Sequence, residues 1–278
     1  MENASEKMPN AMPEGPGFMM DTVVCERPMF DTGYDVFSVH WTNGHYTVGQ
    51  EPIIHDIEDW EEELRIPDLN KLDWEPARAS AQQMRDMGLP VTATLMMGPF
   101  ERATTLTSYT DCMMNLGEEP ELFADMIRVL ADYRIAEIRK LHEVTGVEEL
   151  LIHDDWGCNL SLLMSPATWR QVMAPSTKRI YDACHELGIR VIQHSCGKVQ
   201  DVLGDIVEMG VDGFQIQSDC NDIPTIKALY GDRVYIDAWT MLTEDALMGK
   251  ESEVGPPPME VLSADQTSFK EKPEWLYA

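Results

Sequence analysis

One beat, repeated five times, constrains this chain most: an amphipathic stretch ends at a glycine and a short apolar run follows. It reads DMGLPVTATLMMGPF, VTGVEELLIHDDWG, ELGIRVIQHSCG, EMGVDGFQIQS and LYGDRVYIDAWT. Glycine closes a helix in a left-handed conformation that other residues resist, and the β-rich run after it starts a strand. The pattern predicts helices alternating with strands, which build a parallel sheet, either open and doubly wound or closed as a barrel. No Gly-x-Gly-x-x-Gly follows any of these runs, which removes the main reason to choose a dinucleotide fold. The expectation is an α/β protein of the TIM-type (β/α) barrel kind.

The longest helix is expected over about Pro120 to His142, with Phe123, Ile127, Leu130, Ile138 and Leu141 on one face and Asp125, Asp132, Glu137 and Lys140 toward water. In SPATWR, Ser165 is a cap and Pro166 a first helical residue, and Pro175 then breaks or kinks the chain beyond it. Six strand candidates emerge, Tyr34 to His40 included, where a barrel needs eight, so the barrel is incomplete or closed atypically. The 278 residues, 44% hydrophobic, suit one core. The expected division is a flexible tail over 1–20, the barrel domain over 21–249 and an irregular carboxyl-terminal segment over 250–278.

Charge removes several partners. With 21 basic residues against 49 acidic ones the formal charge is −28, which repels nucleic acid and anionic membranes. Much of the acid falls between Glu51 and Glu75, a solvated face or a docking face for a less acidic protein. The amino-terminal stretch is acidic and proline-broken, unlike a signal peptide or a membrane span. Cys25, Cys112, Cys158, Cys184, Cys196 and Cys220 are scattered, as in a reduced cytoplasmic protein.

In a barrel the active groups gather where strands end, and here those ends read MMGPF, HDDWGCN, HSCG, QSDCND and DAWTM. RVIQHSCGKV places His194 and Cys196 two residues apart, on one face of a strand. Imidazole and thiolate together suit zinc.

Residues 153–217, from HDDWGCNLSLLMSPATWR through HSCG to GFQIQ, resemble the uroporphyrinogen decarboxylase superfamily on its branch of zinc and corrinoid-linked methyltransferases. Asp-Asp-x-Gly, Ser-Pro-x-x-Trp, Pro175 with Lys178 and Arg179, and above all HSCG carry the resemblance. It extends more loosely from YDVFSVHW through GPFERATT to Trp239. The decarboxylases hold an acidic tetrapyrrole with an arginine-rich amino-terminal segment, and this chain offers only Arg27 before Arg65. The methyltransferase branch is therefore the nearer one.

That resemblance implies a zinc-dependent transfer of methyl between a small methylated substrate or thiol and a corrinoid carried on a partner protein. It implies His194 and Cys196 as metal ligands. The third ligand is open, with Cys220 first and Asp154, Asp155 and Cys158 behind it. His153, Asp154 and Asp155 are the catalytic candidates, as proton donors or as groups that orient His194, against a duller role capping the following turn. Met97, Phe100, Trp156, Gln217 and Asp237 are the substrate-binding candidates, with Met96 beside them, against a plain role in core packing. DACHELG is one residue too long for the loop that supplies cobalt's lower ligand, so no cobalamin is expected on this chain alone. Decarboxylation and a non-catalytic barrel that docks a corrinoid protein are the alternatives. A homodimer and the identities of methyl donor and acceptor stay open.

Overall fold

The computed structural model describes residues 32–239 and 269–277. The expected tail over 1–20 and the stretch 250–268 of the expected irregular segment lie outside them.

The described chain begins with a small antiparallel sheet of β1 (Gly33–Tyr34), β2 (His40–Thr42) and β3 (His45–Tyr46), followed by the short helix α1 (Trp60–Glu63) and by α2 (Glu75–Asp86). The main sheet then alternates with helices. In order come β4 (Thr92–Leu95), α3 (Pro99–Thr107), α4 (Tyr109–Glu118), α5 (Pro120–Thr145) and β5 (Glu149–His153). Next come α6 (Pro166–Val172), α7 (Ala174–Glu186), β6 (Arg190–Ser195), α8 (Leu203–Glu208), β7 (Gly213–Gln217), α9 (Ile223–Tyr230) and β8 (Tyr235–Trp239).

All five strands of the main sheet run parallel and lie side by side in sequence order, β4 to β8. This is the arrangement of an arc of a (β/α) barrel. Among the described residues the arc carries five strands and does not close. Its strands read as nearly continuous apolar runs because helices cover one side and the core fills the other. Leu150, Leu151 and Ile152 on β5 and Val191 and Ile192 on β6 are all buried.

The glycine beat marks real helix ends: Gly88, Gly146, Gly188 and Gly210 all have positive φ, while Gly231 keeps a right-handed conformation. Ser165 caps α6 by accepting from Thr168 N at 3.0 Å. Pro175 falls in the first turn of a new helix, α7, so the chain breaks there after Val172.

Two expectations fail, both for reasons of buried charge. Tyr34 to His40 is not a barrel strand. The buried Asp35 carboxylate accepts from Phe37 N at 2.9 Å and Val39 N at 3.0 Å, and Ser38 turns to φ 66. A tight turn results, and Asn43-Gly44, both with positive φ, then fold β2 onto β3 as a hairpin. Glu137, expected in water, is only 1% exposed because it pairs with the buried Arg134 on the same helix. Arg134 in turn donates to the carbonyls of Met96 at 2.8 Å and Met97 at 2.6 Å, tying α5 to the end of β4.

Residues 269–277 return to the small sheet. Phe269 bridges Tyr34, Leu276 is fully buried, and the Tyr277 hydroxyl donates to the carbonyl of Val36 at 2.6 Å.

Candidate metal centre

Parallel pairing sets residues of neighbouring strands at one level, and the pairs His153 with His194, His194 with Gln215, and Gln215 with Asp237 form one continuous row across β5 to β8. The row runs from the carboxyl ends of β5 and β6, the side on which a (β/α) fold exposes its mouth, to the middle of β7 and β8. Each member fixes the next. Asp237 Oδ2 accepts from Gln215 Nε2 at 2.9 Å, and a carboxylate only accepts, so the amide is oriented with Oε1 toward His194. That oxygen lies 2.8 Å from His194 Nδ1, which therefore carries the proton. His194 Nε2 is left as the basic nitrogen, the form a metal binds.

Cys196 comes directly after β6 and its Sγ lies 3.5 Å from His194 Nε2. The two side chains thus share one site, within the roughly 5 Å that a common metal allows. The turn beyond them needs Gly197. Its φ is +75, and a Cβ there would run into the backbone of Gly157. Gln217 Oε1 accepts from Gly197 N at 2.8 Å, and Asn221 donates to the Gly197 carbonyl at 2.8 Å while accepting from Val199 N at 3.0 Å. Gln217 is 2% exposed, so its amide braces the HSCG turn.

β5 supplies the other side. His153 stacks on His194 with ring centroids 4.2 Å apart and planes 16° from parallel. Its Nδ1 lies 2.8 Å from Glu101 Oε2, so it too is held by an acceptor behind it. Asp155 Oδ1 accepts from Cys196 N at 2.6 Å and lies 3.5 Å from His194 Nε2 and 4.0 Å from His153 Nε2. Ligand atoms of His153, Asp155 and His194 fall within 4.8 Å of one another.

Asp154 faces another way. Its oxygens accept from Phe100 N at 3.3 Å, Glu101 N at 3.0 Å and Trp156 Nε1 at 3.0 Å, so it anchors the start of α3 rather than the turn after β5. Burial and the Glu101 charge push its carboxyl up to about 7, against the pull of those three bonds. Burial also lifts the Cys196 thiol, with Asp155 adding to the shift, and burial and the His153 charge lower His194. Burial works to lower His153 as well, but the charge and hydrogen bond of Glu101 prevail and raise it to about 9.

The remaining predicted residues are spread around this centre. Cys220 Sγ contacts the Gln217 carbonyl at 3.8 Å and Asn221 Nδ2 at 3.5 Å, and Cys158 is exposed. Met97, Phe100 and Trp156 are 3%, 1% and 1% exposed and belong to the buried hydrophobic core. Asp237 spends an oxygen on Gln215. Sequence reasoning missed Glu101, Gln215 and Asn221. Glu101 stands within GPFERATT, and Gln215 shares a strand face with Gln217, so alternation alone was a usable signal for it.

The donor set fits zinc. Ligand atoms bound tetrahedrally at about 2.0–2.3 Å lie about 3.3–3.8 Å apart, and the 3.5 Å from His194 Nε2 to Cys196 Sγ falls within that span.

A sequence model of the uroporphyrinogen decarboxylase (URO-D) family matches residues 37–250. The methylcobamide:CoM methyltransferase MtaA of Methanosarcina barkeri is 26% identical over 138 residues, which are 50% of this chain and 39% of that protein. Its counterpart in Methanosarcina barkeri strain Fusaro is 25% identical over the same shares. Among solved structures, a methyltransferase from Methanosarcina mazei superposes with a TM-score of 0.59 at 19% identity, covering 82% of this chain and 62% of that one. The last is a likeness of fold. The matched part of the chain spans less than two thirds of the length of each relative. No helix among the described residues is long and apolar enough to cross a membrane.

Proposed function

The chain belongs to the uroporphyrinogen decarboxylase family, and from that premise we propose that it is a zinc-dependent methyltransferase, moving a methyl group between a corrinoid protein and a small thiol or methylated substrate. The observation that carries the reading is the His194–Cys196 pair at 3.5 Å, with the histidine tautomer set from behind by Gln215 and Asp237. The likeness to a methylcobamide:CoM methyltransferase over half of the chain supports the methyl-transfer class.

His194 Nε2 and Cys196 Sγ are the zinc ligands in this reading. Bound there, zinc supplies a Lewis acid that lowers the pKa of a thiol or polarises the heteroatom of a methylated substrate. Gln215 and Asp237 keep His194 neutral at Nε2 and fix its ring. Gln217 and Asn221 hold the HSCG turn so that Cys196 stays beside His194. His153 and Asp155 reach the same centre, whereas Asp154 acts through the start of α3 and is a positioning residue. In the thiol direction the substrate loses its proton and its sulfur forms a bond to the methyl carbon. The cobalt–carbon bond breaks, and its electron pair stays on the reduced corrinoid of the partner.

The test is a paired measurement on the purified chain: zinc per molecule, and thiol-dependent loss of the methyl group from free methylcobalamin, followed by the absorbance of reduced cobalamin. One zinc per chain and thiol-dependent demethylation are expected. Carbon dioxide release from an acid substrate without cobalt, and no demethylation, would assign the decarboxylase reading instead.

A further inference from the structure

We infer that zinc at the His194–Cys196 pair takes its remaining protein ligands from the end of β5, as His153 Nε2 and Asp155 Oδ1, and not from Cys220. The inference rests on the proposed zinc site and goes further by naming a donor set with a single thiolate.

Geometry makes the first case. His194 Nε2 lies 3.5 Å from Cys196 Sγ and 3.5 Å from Asp155 Oδ1, and Asp155 Oδ1 lies 4.0 Å from His153 Nε2. Tetrahedral zinc ligands are separated by about 3.3–3.8 Å, so both 3.5 Å contacts of His194 already match, and ligand atoms of His153, Asp155 and His194 lie within 4.8 Å of one another. His153 and His194 are paired residues of adjacent strands, which sets them at one level of the sheet.

Support from behind makes the second. Both histidines are held at Nδ1 by a side-chain oxygen, His153 by Glu101 at 2.8 Å and His194 by Gln215 at 2.8 Å. Ligating histidines are oriented in this way by an acceptor on the nitrogen opposite the metal. Asp155 is pinned as well, by the Cys196 amide at 2.6 Å. Cys220, by contrast, has its Sγ against the Gln217 carbonyl and the Asn221 amide, past the end of β7.

Charge makes the third. One thiolate and one carboxylate neutralise a divalent ion, which a largely buried site requires. Two neutral imidazoles then complete four donors. Asp155, with 27% of its side chain exposed against 13% for His153 and 8% for His194, is the donor that a substrate arriving from the mouth reaches first.

The experiment measures zinc affinity of the full chain by competition with a chromophoric chelator, and the absorption of the cobalt(II)-substituted protein. Asp155→Asn and His153→Gln should each weaken zinc binding by about tenfold or more, while Cys220→Ser binds at wild-type affinity. The thiolate-to-cobalt charge-transfer band should correspond to one sulfur, vanish in Cys196→Ser and persist unchanged in Cys220→Ser. Wild-type affinity in both β5 variants, or a second thiolate that disappears with Cys220, overturns the assignment. Should a β5 variant fail to fold, the cobalt spectra of wild type and Cys220→Ser decide alone. Undiminished zinc affinity in Cys196→Ser is a different failure, of the zinc reading itself.

Discussion

Two clusters of buried polar groups in this chain are partnered in opposite ways. Around Asp35 the partners point inward, onto its carboxylate. Its carboxylate accepts from Phe37 N, Val39 N, Trp41 Nε1 at 2.9 Å and Arg102 Nη1 at 2.6 Å, and the guanidinium lies over the Phe37 ring. Around His194 the partners stand behind. Glu101 and Gln215 hold the outer nitrogens of the two histidines, with Asp237 behind Gln215, while ligand atoms of His153, Asp155 and His194 gather within 4.8 Å and Cys196 Sγ lies 3.5 Å from His194 Nε2. A closed set of hydrogen bonds around a buried charge builds the fold, whereas donors aimed at a shared centre are organised for something that arrives there.

The largest expected effect separates binding from folding. Cys196→Ser should take zinc from stoichiometric to undetectable, because an alcohol is a poor zinc ligand, while the metal-free thermal midpoint stays close to that of the wild type. Metal analysis and thermal melts of both proteins check it. Retained zinc would erase the distinction between the clusters.

Asp35→Ala should do the reverse. Asp35 and Arg102 have side chains 0% and 3% exposed, so removing the carboxylate takes the opposite charge from a buried guanidinium and costs about 3–5 kcal/mol. Urea unfolding measures it, and zinc affinity of the folded fraction should not change. A loss of affinity would mean that the small sheet shapes the site.

Between these lies Gln215→Leu, which keeps all the inner atoms and removes the grip on His194 Nδ1 together with the bond to Asp237. Zinc affinity should fall about 10–100-fold, with little change in unfolding free energy. An effect on stability alone would move Gln215 to the structural side.

The smallest change is expected at the surface. Arg170 and Asp205 pair at 2.9 Å with half and a third of their side chains exposed, so Arg170→Ala should cost no more than about 0.2–1 kcal/mol and leave zinc binding untouched. A larger loss would show that the comparison of buried clusters leaves out a third contributor.

The sequence by itself determined whatever is local. Helix ends came from glycines, the α6 start from Ser165, and the closeness of His194 and Cys196 from their two-residue spacing at a strand end. Each of these depends on φ preferences or on side-chain period, which neighbours along the chain decide. Tertiary structure decided the rest. Gln215 meets His194 from 21 residues away and Glu101 meets His153 from 52 away, and only the register of parallel strands and the docking of α3 set those meetings. Likewise Asp154 and Asp155 are adjacent, yet one anchors a helix and the other faces the centre. Adjacent residues past a strand end point in different directions, and composition carries no sign of which will face the core. Glu137 and the Tyr34–His40 turn went astray for the same reason. A charge is buried when a partner satisfies it inside the core, whether near along the chain, as Arg134 is to Glu137, or far from it, as Arg102 is from Asp35, and the free energy of that pairing exists only after the chain has folded.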